Sequence, residues 1–149
     1  MKVRDVMEHH VVTVRPDDTY EDVAKLLNEH QVSGVPVVDA EGRLAGMVSE
    51  KDLYRILYPF YSSYYEHPVS YTDLEQREEK VDDVRAKKVE VFMTKDTISI
   101  EPDAPVMRAG GIMLAKRIAR LPVVEDGKII GLVSRSRIFK LVIKEQLGL

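Results

Sequence analysis

The sequence predicts an α+β fold built from two copies of one β-α-β-β-α unit. The first observation behind this prediction is an internal repeat, in which Pro16 and Asp17 recur 86 residues later as Pro102 and Asp103. The second is that helix-like and strand-like hydrophobic patterns follow one another in the same order in both copies. Two such units can bury a shared core by packing on each other, and 149 residues are enough for a proper core.

The elements of the first copy can be followed along the chain. Residues 11–19 read as a short strand broken by Pro16, with polar side chains after it that can cap a helix. The next eleven residues carry Val23, Leu26 and Leu27 at helical spacing. A short apolar strand, a turn containing Gly42, a returning strand and the start of a second helix complete the copy, in the segments VPVVD, AEG, RLAGMVS and EKDLYRIL.

The second copy repeats this order in the segments TISIEPD, APVMRAGGIMLAKRI, LPVVE, KIIGLVS and SRIFKLVIKEQL. Gly110 and Gly111 lie inside its first helix, where each costs about 1 kcal/mol relative to alanine. We therefore expect a close contact of that helix with a neighbouring helix or backbone.

The repeat predicts a division into residues 1–58, an insertion at 59–88 and residues 89–149. The insertion has an aromatic part and a highly charged part that suits a surface helix. Its tyrosines suit a partner-binding surface, and the alternative is a loop that folds back over a hydrophobic edge of the module. The residues concerned are Tyr61, Tyr64, Tyr65 and Tyr71, followed by the apolar stripe Leu74, Val81 and Val84.

The composition excludes several classes of protein. There is no cysteine, which excludes disulfides, thiolate metal sites and a cysteine nucleophile. No apolar stretch is long enough to cross a bilayer, and the N-terminus lacks the apolar core of a secretory signal, so we expect a cytoplasmic protein. The net charge of −3 argues against general nucleic-acid binding, although residues 104–149 hold nine basic and three acidic side chains.

Motifs for catalysis are also missing. The four histidines show no metal-binding spacing, so no metal site is expected. Neither a P-loop nor a dinucleotide-binding glycine motif occurs, and no nucleophile has an evident base. We expect no enzyme activity and no catalytic cofactor.

Two stretches carry a resemblance to a known family: VTVRPDDTYEDVAKLLNEHQVSGVPVVDAEGRLAGMVSEKDL and ISIEPDAPVMRAGGIMLAKRIARLPVVEDGKIIGLVSRSRI. They resemble the CBS domain, present here as the tandem pair called a Bateman module. The resemblance implies two repeats packed through their sheets about a pseudo-twofold axis, with two clefts. It also implies a homodimer and an adenosyl ligand in a cleft, namely AMP, ADP, ATP or S-adenosylmethionine.

The family's ligand motif, [Ser/Thr]-x-x-Asp, matches Ser49 and Asp52. The resemblance gives Ser49 a contact to phosphate or ribose and gives Asp52 the ribose diol. A carboxylate suits a diol because it only accepts hydrogen bonds, which both hydroxyls can donate. The alternative is that the two residues form an ordinary N-cap pair for the following helix. The resemblance also implies an adenine pocket lined by Thr13 and Val14, with an apolar wall at Val35 and Pro36.

The second copy departs from this motif, since Ser134, Arg135 and Arg137 occupy the corresponding positions. Arg137 has no acceptor for a ribose diol, but arginine binds phosphate well. The resemblance gives Arg120 a phosphate contact as well. We therefore expect Arg120, Arg137 and Arg135 to reach the phosphates of a nucleotide whose ribose lies on Asp52, giving one site per chain. The alternative is that Arg137 pairs with a nearby carboxylate and fills an empty cleft.

Two functional hypotheses remain. The first is a regulatory sensor that binds an adenosyl ligand and is read by an effector protein that the sequence does not identify. The second is a ligand-independent dimerisation or scaffold module that uses the insertion as its contact surface.

Overall fold

The computed structural model describes residues 1–58 and 75–149, with side chains described for 1–58 and 80–149. Helices and strands are mixed along the chain, which confirms the α+β class. The elements are α1 Val3–Val6, α2 Tyr20–His30, β1 Gly34–Val38, β2 Leu44–Ser49, α3 Glu50–Arg55, α4 Glu75–Val84, α5 Val89–Phe92, α6 Val106–Lys116, β3 Arg120–Glu125, β4 Lys128–Ser134, α7 Arg135–Ile138, a π-helical turn Phe139–Ile143 and α8 Lys144–Leu147. The predicted tyrosine surface at 61–71 lies outside the described residues.

The strands form two sheets of two strands each, β1 with β2 and β3 with β4. The first strand expected in each copy is reduced to an isolated parallel bridge, Val14 to Val37 and Ile100 to Val123. Proline accounts for this difference, since Pro36 and Pro122 in the partner strands have no N–H to extend a ladder.

The described residues group into two compact units that do not follow the sequence repeat. We call Val14–Val37 with Ala45–Lys95 the Asp52 unit. We call Met1–Thr13, Val38–Leu44 and Asp96–Leu149 the Arg137 unit. The short segment that begins each sequence copy therefore belongs to the unit formed by most of the other copy.

In the Arg137 unit, the segment around α1 is held by backbone hydrogen bonds. The amide of Val3 donates to the Ala104 carbonyl at 2.9 Å, and Glu8 and Leu132 exchange two hydrogen bonds at 2.8 and 3.0 Å. Val3 and Val6 are fully buried in the core of this unit. Burying these two valines contributes a few kcal/mol of hydrophobic stabilisation.

In the Asp52 unit, the segment around α5 is held in the equivalent way. The amide of Val89 donates to the Asp18 carbonyl at 2.8 Å, and Met47 and Thr94 exchange two hydrogen bonds at 2.9 and 2.8 Å. These residues are the repeat counterparts of those that hold α1. Val89 is fully buried. The two units thus share one internal design.

Helix α2 begins with a reciprocal cap that the sequence predicts. The Thr19 amide donates to Asp22 Oδ2 at 2.9 Å, and the Asp22 amide donates to Thr19 Oγ1 at 3.2 Å. The helix ends at Gln31, which adopts the left-handed conformation with φ 53°. Such a cap satisfies two amides that the first helical turn leaves without partners.

The close contact expected at the two helical glycines is absent among the described residues. A Cβ at Gly110 would meet Ile138 Cδ1 at 3.8 Å, an ordinary contact, and a Cβ at Gly111 would meet no atom within 4 Å. That expectation was therefore wrong. On the predicted apolar stripe of the insertion, Val84 is buried and Val81 is exposed.

Candidate functional site

The carboxylate of Asp52 is the centre of the candidate site. Its side chain is only 3% exposed, although the residue lies in the first turn of α3, a helix whose other charged residues are exposed to solvent. Oδ2 accepts hydrogen bonds from the Ser49 amide at 2.9 Å and the Ser49 hydroxyl at 3.2 Å. Oδ1 accepts from Arg55 Nη1 at 2.8 Å and Thr94 Oγ1 at 3.1 Å. A buried carboxylate is stable only when it is paired and hydrogen-bonded in this way.

Helix α3 is anchored in the Asp52 unit by Tyr20. The Tyr20 hydroxyl donates to the Leu53 carbonyl at 2.9 Å, and its ring lies 5.5 Å from that of Phe92. Burial raises the pKa of Tyr20 above its ordinary value, and tyrosine is already a protonated donor at neutral pH without this shift. The anchor fixes the chain directly after Asp52.

Two of the four donors to Asp52 were not predicted from the sequence. Thr94 is 42 residues away along the chain, and no local pattern indicates it. Arg55 is three positions after Asp52 on the same helix, a spacing at which opposite charges meet. That spacing was the signal available in the sequence.

The residues expected around an adenine base are divided between the units. Val14, Val35 and Pro36 belong to the Asp52 unit and are buried, and the Val14 amide donates to the Pro36 carbonyl at 3.0 Å. Thr13 is half-buried and belongs to the Arg137 unit. Val14, Val35 and Pro36 thus share one unit with Ser49 and Asp52.

The corresponding position of the Arg137 unit has a different bonding pattern. Arg137 is half-buried, and its Nε donates to the Val6 carbonyl at 3.1 Å. The Ser134 hydroxyl caps α7 by accepting from the Arg137 amide at 3.1 Å. Within the described parts of the chain Arg137 forms no ion pair, so the carboxylate partner that we considered for it is not seen there.

The other basic residues of the predicted site lie beside this cap. Arg120, at the start of β3, is paired in register with Ser134, at the end of β4. The amide of Arg135 donates to the Ala119 carbonyl at 3.1 Å, and the Arg135 side chain is exposed. Arg120, Ser134, Arg135 and Arg137 are therefore gathered at one end of the β3–β4 hairpin.

This geometry is compatible with both roles considered for Ser49 and Asp52. The Ser49 amide donates to the carboxylate, as an N-cap pair requires. The side-chain donors on Oδ1, from Arg55 and Thr94, are ones that a ligand can replace. The ligand roles of the ten candidate residues stay predictions.

One cavity of the described structure lies away from the candidate residues. This cavity, of about 330 Å³ in the Arg137 unit, is lined by Met1, Pro105 and residues of α6, the π-helical turn and α8, and by none of the predicted site residues. No cluster of three or more metal-ligating side chains occurs among residues 1–58 and 75–149. Over the same residues, no helix is both long and apolar enough to traverse a bilayer.

Comparison with known proteins identifies the family. The family model of the CBS domain matches residues 3–59 and 86–144. A CBS domain-containing protein of Dictyostelium discoideum is 30% identical, over 95% of this chain and 91% of its own length. The CBS domain of a CBS domain containing membrane protein from Sphaerobacter thermophilus is 33% identical, with a TM-score of 0.72 over 95% of this chain and 88% of that one. CBSX2, solved in complex with AMP, is 26% identical, with a TM-score of 0.73 over 97% and 98% of the two chains. The chain therefore belongs to the CBS domain family and contains two matches to that domain.

Proposed function

We propose that this chain is a regulatory module, without catalytic activity, that binds an adenosyl ligand through the Asp52 carboxylate. The observation that carries the proposal is a buried carboxylate in a Ser-x-x-Asp sequence, with side-chain donors on Oδ1 that a ligand can replace. The solved complex of the related CBSX2 with AMP supports a ligand of this class.

The chemistry of the site fits a ribose. The two vicinal hydroxyls of a ribose are both donors, and an ionised carboxylate only accepts. Val35 and Pro36, in the same unit, supply buried apolar surface of the kind that accompanies a base. The phosphate roles of Arg120, Arg135 and Arg137 stay part of the proposal, to be tested by a ligand-bound structure.

A module of this kind acts through its ligand. A ligand shifts an equilibrium between two states only by its difference in affinity for them. In this proposal the effector protein responds to the conformational preference that the bound ligand imposes on the chain.

Thermal unfolding with AMP, ADP, ATP and S-adenosylmethionine tests the proposal. A ligand at a hundred times its Kd should add about 2.7 kcal/mol of stability, which raises the melting temperature by roughly 8 °C for a chain of this size. A melting temperature that none of the four ligands changes would contradict the proposal and favour ligand-independent dimerisation.

Asp52→Asn is the matching variant, since it keeps the volume of the side chain and removes its charge. We expect it to weaken the binding of the active ligand by at least about tenfold, measured by calorimetry below the melting temperature. Asp22→Asn is its control, because Asp22 bonds the Thr19 amide as Asp52 bonds the Ser49 amide. Equal binding by both variants would remove the ribose role from Asp52.

A further inference from the structure

The Asp52 carboxylate has no acceptor capacity left for a ligand. A carboxylate offers about four lone-pair sites, and Asp52 accepts four hydrogen bonds, two on each oxygen. A ribose diol can therefore bind only by replacing donors that are already there. This inference rests on the proposed function and concerns which donors leave and where they go.

The donors on Oδ1 are those that can leave. The Ser49 amide on Oδ2 is part of the backbone that starts α3, so it cannot move without unwinding the helix. By contrast, Arg55 reaches Oδ1 with a side chain that is 42% exposed. Thr94 reaches Oδ1 with a hydroxyl on an exposed residue, and water can take over that hydrogen bond.

We propose that Arg55 is a binding and specificity-determining residue, which pairs with Asp52 in the free protein and with a phosphate of the ligand in the complex. In this exchange, Arg55 Nη1 gives up its hydrogen bond to Asp52 Oδ1 and donates to the phosphate instead. The ribose diol takes Oδ1, and Arg55 turns to an anionic group attached to the same ribose. Its flexible side chain carries it over that short distance.

Charge explains why the exchange selects a phosphorylated ligand. Arginine binds phosphate through two parallel hydrogen bonds, so the ion pair that Arg55 loses with Asp52 is replaced by another. Adenosine has no anionic group. When its ribose takes the place of Arg55 on Asp52, it does not replace the ion pair that Arg55 loses there. The sulfonium of S-adenosylmethionine adds a positive charge next to Arg55, which is repulsive. The ligand class is therefore an adenosine bearing a phosphate.

Calorimetric titration of adenosine, AMP and S-adenosylmethionine into the wild-type chain and the Arg55→Gln variant tests this inference. We expect the wild type to prefer AMP over adenosine. Arg55→Gln should weaken AMP by about tenfold, the usual loss for a charged hydrogen bond, while adenosine binds as well as before or better. Arg55→Lys keeps the positive charge but cannot form two parallel hydrogen bonds to a phosphate. Its affinity for AMP should therefore fall between those of the wild type and Arg55→Gln.

Arg108→Gln is the matched control, because Arg108 is also an exposed arginine in an ion pair, with Glu101 at 2.9 Å. It should leave all three affinities unchanged. Since a fold defect weakens every ligand alike, the readout is the ratio of AMP to adenosine affinity in each variant.

The outcomes separate the two proposals. If Arg55→Gln binds AMP and adenosine in the same ratio as the wild type, Arg55 does not contact the phosphate and this inference is overturned while the proposed function stands. A wild type that prefers adenosine or S-adenosylmethionine over AMP also overturns it. If the wild type binds none of the three, ADP and ATP are titrated in the same way. If the wild type binds neither of these, the proposed function fails, and this inference fails with it.

Discussion

The two units place equivalent elements around residues of opposite charge. In the Asp52 unit, the residue three positions after the strand-ending serine is an acceptor and bonds the Thr94 hydroxyl. In the Arg137 unit, the residue at that position is a donor and bonds the Val6 carbonyl. Thr94 follows α5 and Val6 ends α1, so both contacts hold the short segment of their unit. Each unit thus has a hydrogen bond from this position to its short segment, made to a different residue of the segment and in the opposite donor–acceptor direction.

The helix that follows the serine shows what this reversal requires. Helix α3 begins with the Ser49 amide bonded to the Asp52 carboxylate, whereas α7 begins with the Arg137 amide bonded to the Ser134 hydroxyl. Serine alone is therefore a sufficient cap at this place in the fold. Capping does not explain why a carboxylate is buried at position 52, and this supports the ligand role that we propose for it.

The largest expected difference between the units lies at two equivalent glycines. A Cβ at Gly46 would lie 2.7 Å from the Thr94 carbonyl oxygen, which is backbone. A Cβ at Gly131 would lie 2.5 Å from Met7 Sδ, in a flexible side chain, and 3.1 Å from the Glu8 carbonyl oxygen. We expect Gly46→Ala to destabilise the chain by about 3 kcal/mol and Gly131→Ala by about 1 kcal/mol, because methionine can move aside and backbone cannot.

Urea unfolding of both glycine variants measures this difference. Equal losses of stability would mean that the segment around α5 yields as easily as the Met7 side chain.

The next effect concerns the two residues of opposite charge. Asp52→Ala removes four hydrogen bonds and leaves the half-buried Ser49 amide without its carboxylate, so we expect a loss of about 2 kcal/mol. Arg137→Ala removes one side-chain hydrogen bond to the Val6 carbonyl, and we expect a loss of about 1 kcal/mol. Urea unfolding without ligand measures both. If Arg137→Ala costs more than Asp52→Ala, the arginine contributes more to the fold than its hydrogen bond to the Val6 carbonyl indicates.

Local signals in the sequence were enough to predict most elements. The helix α2 and the strand β4 have the bounds expected from the segments YEDVAKLLNEH and KIIGLVS, because caps and turns of known preference border them. The length of the first strand of each copy was overestimated. The cause lies outside these strands, in the missing N–H groups of Pro36 and Pro122 in the strands that they pair with.

The assignment of the short segments to units could not be predicted. Met7 and Met93 are equivalent in the repeat, as are Val3 and Val89, so either segment suits either unit by these residues. Tertiary hydrogen bonds such as those between Glu8 and Leu132 decide the matter. For the same reason the sequence motif located Ser49 and Asp52 but did not indicate Thr94, which a distant segment supplies.

The smallest expected effect is the pH dependence of an exposed ion pair in each unit. In the Asp52 unit, Arg85 forms two hydrogen bonds to Glu21, at 2.8 and 3.2 Å, and these lower the pKa of Glu21. In the Arg137 unit, Arg4 forms one hydrogen bond to Asp103 at 2.9 Å, and this lowers the pKa of Asp103. Because both carboxyl pKa values are lower in the folded chain, the pairs stabilise it fully above the unfolded values of about 4.3 and 3.9. That stabilisation is lost as the pH falls through the folded values.

Melting temperatures measured between pH 7 and pH 3 should therefore fall less steeply for Glu21→Gln and Asp103→Asn than for the wild type. Glu21→Gln should show the larger change, since its pair has two hydrogen bonds and that of Asp103 has one from Arg4. Both differences should shrink in 1 M salt, which screens exposed charges. A Glu21→Gln variant that is destabilised equally at pH 7 and pH 3 would show that the side chain acts through packing, and the bidentate pair with Arg85 would then not be what distinguishes the Asp52 unit at acid pH.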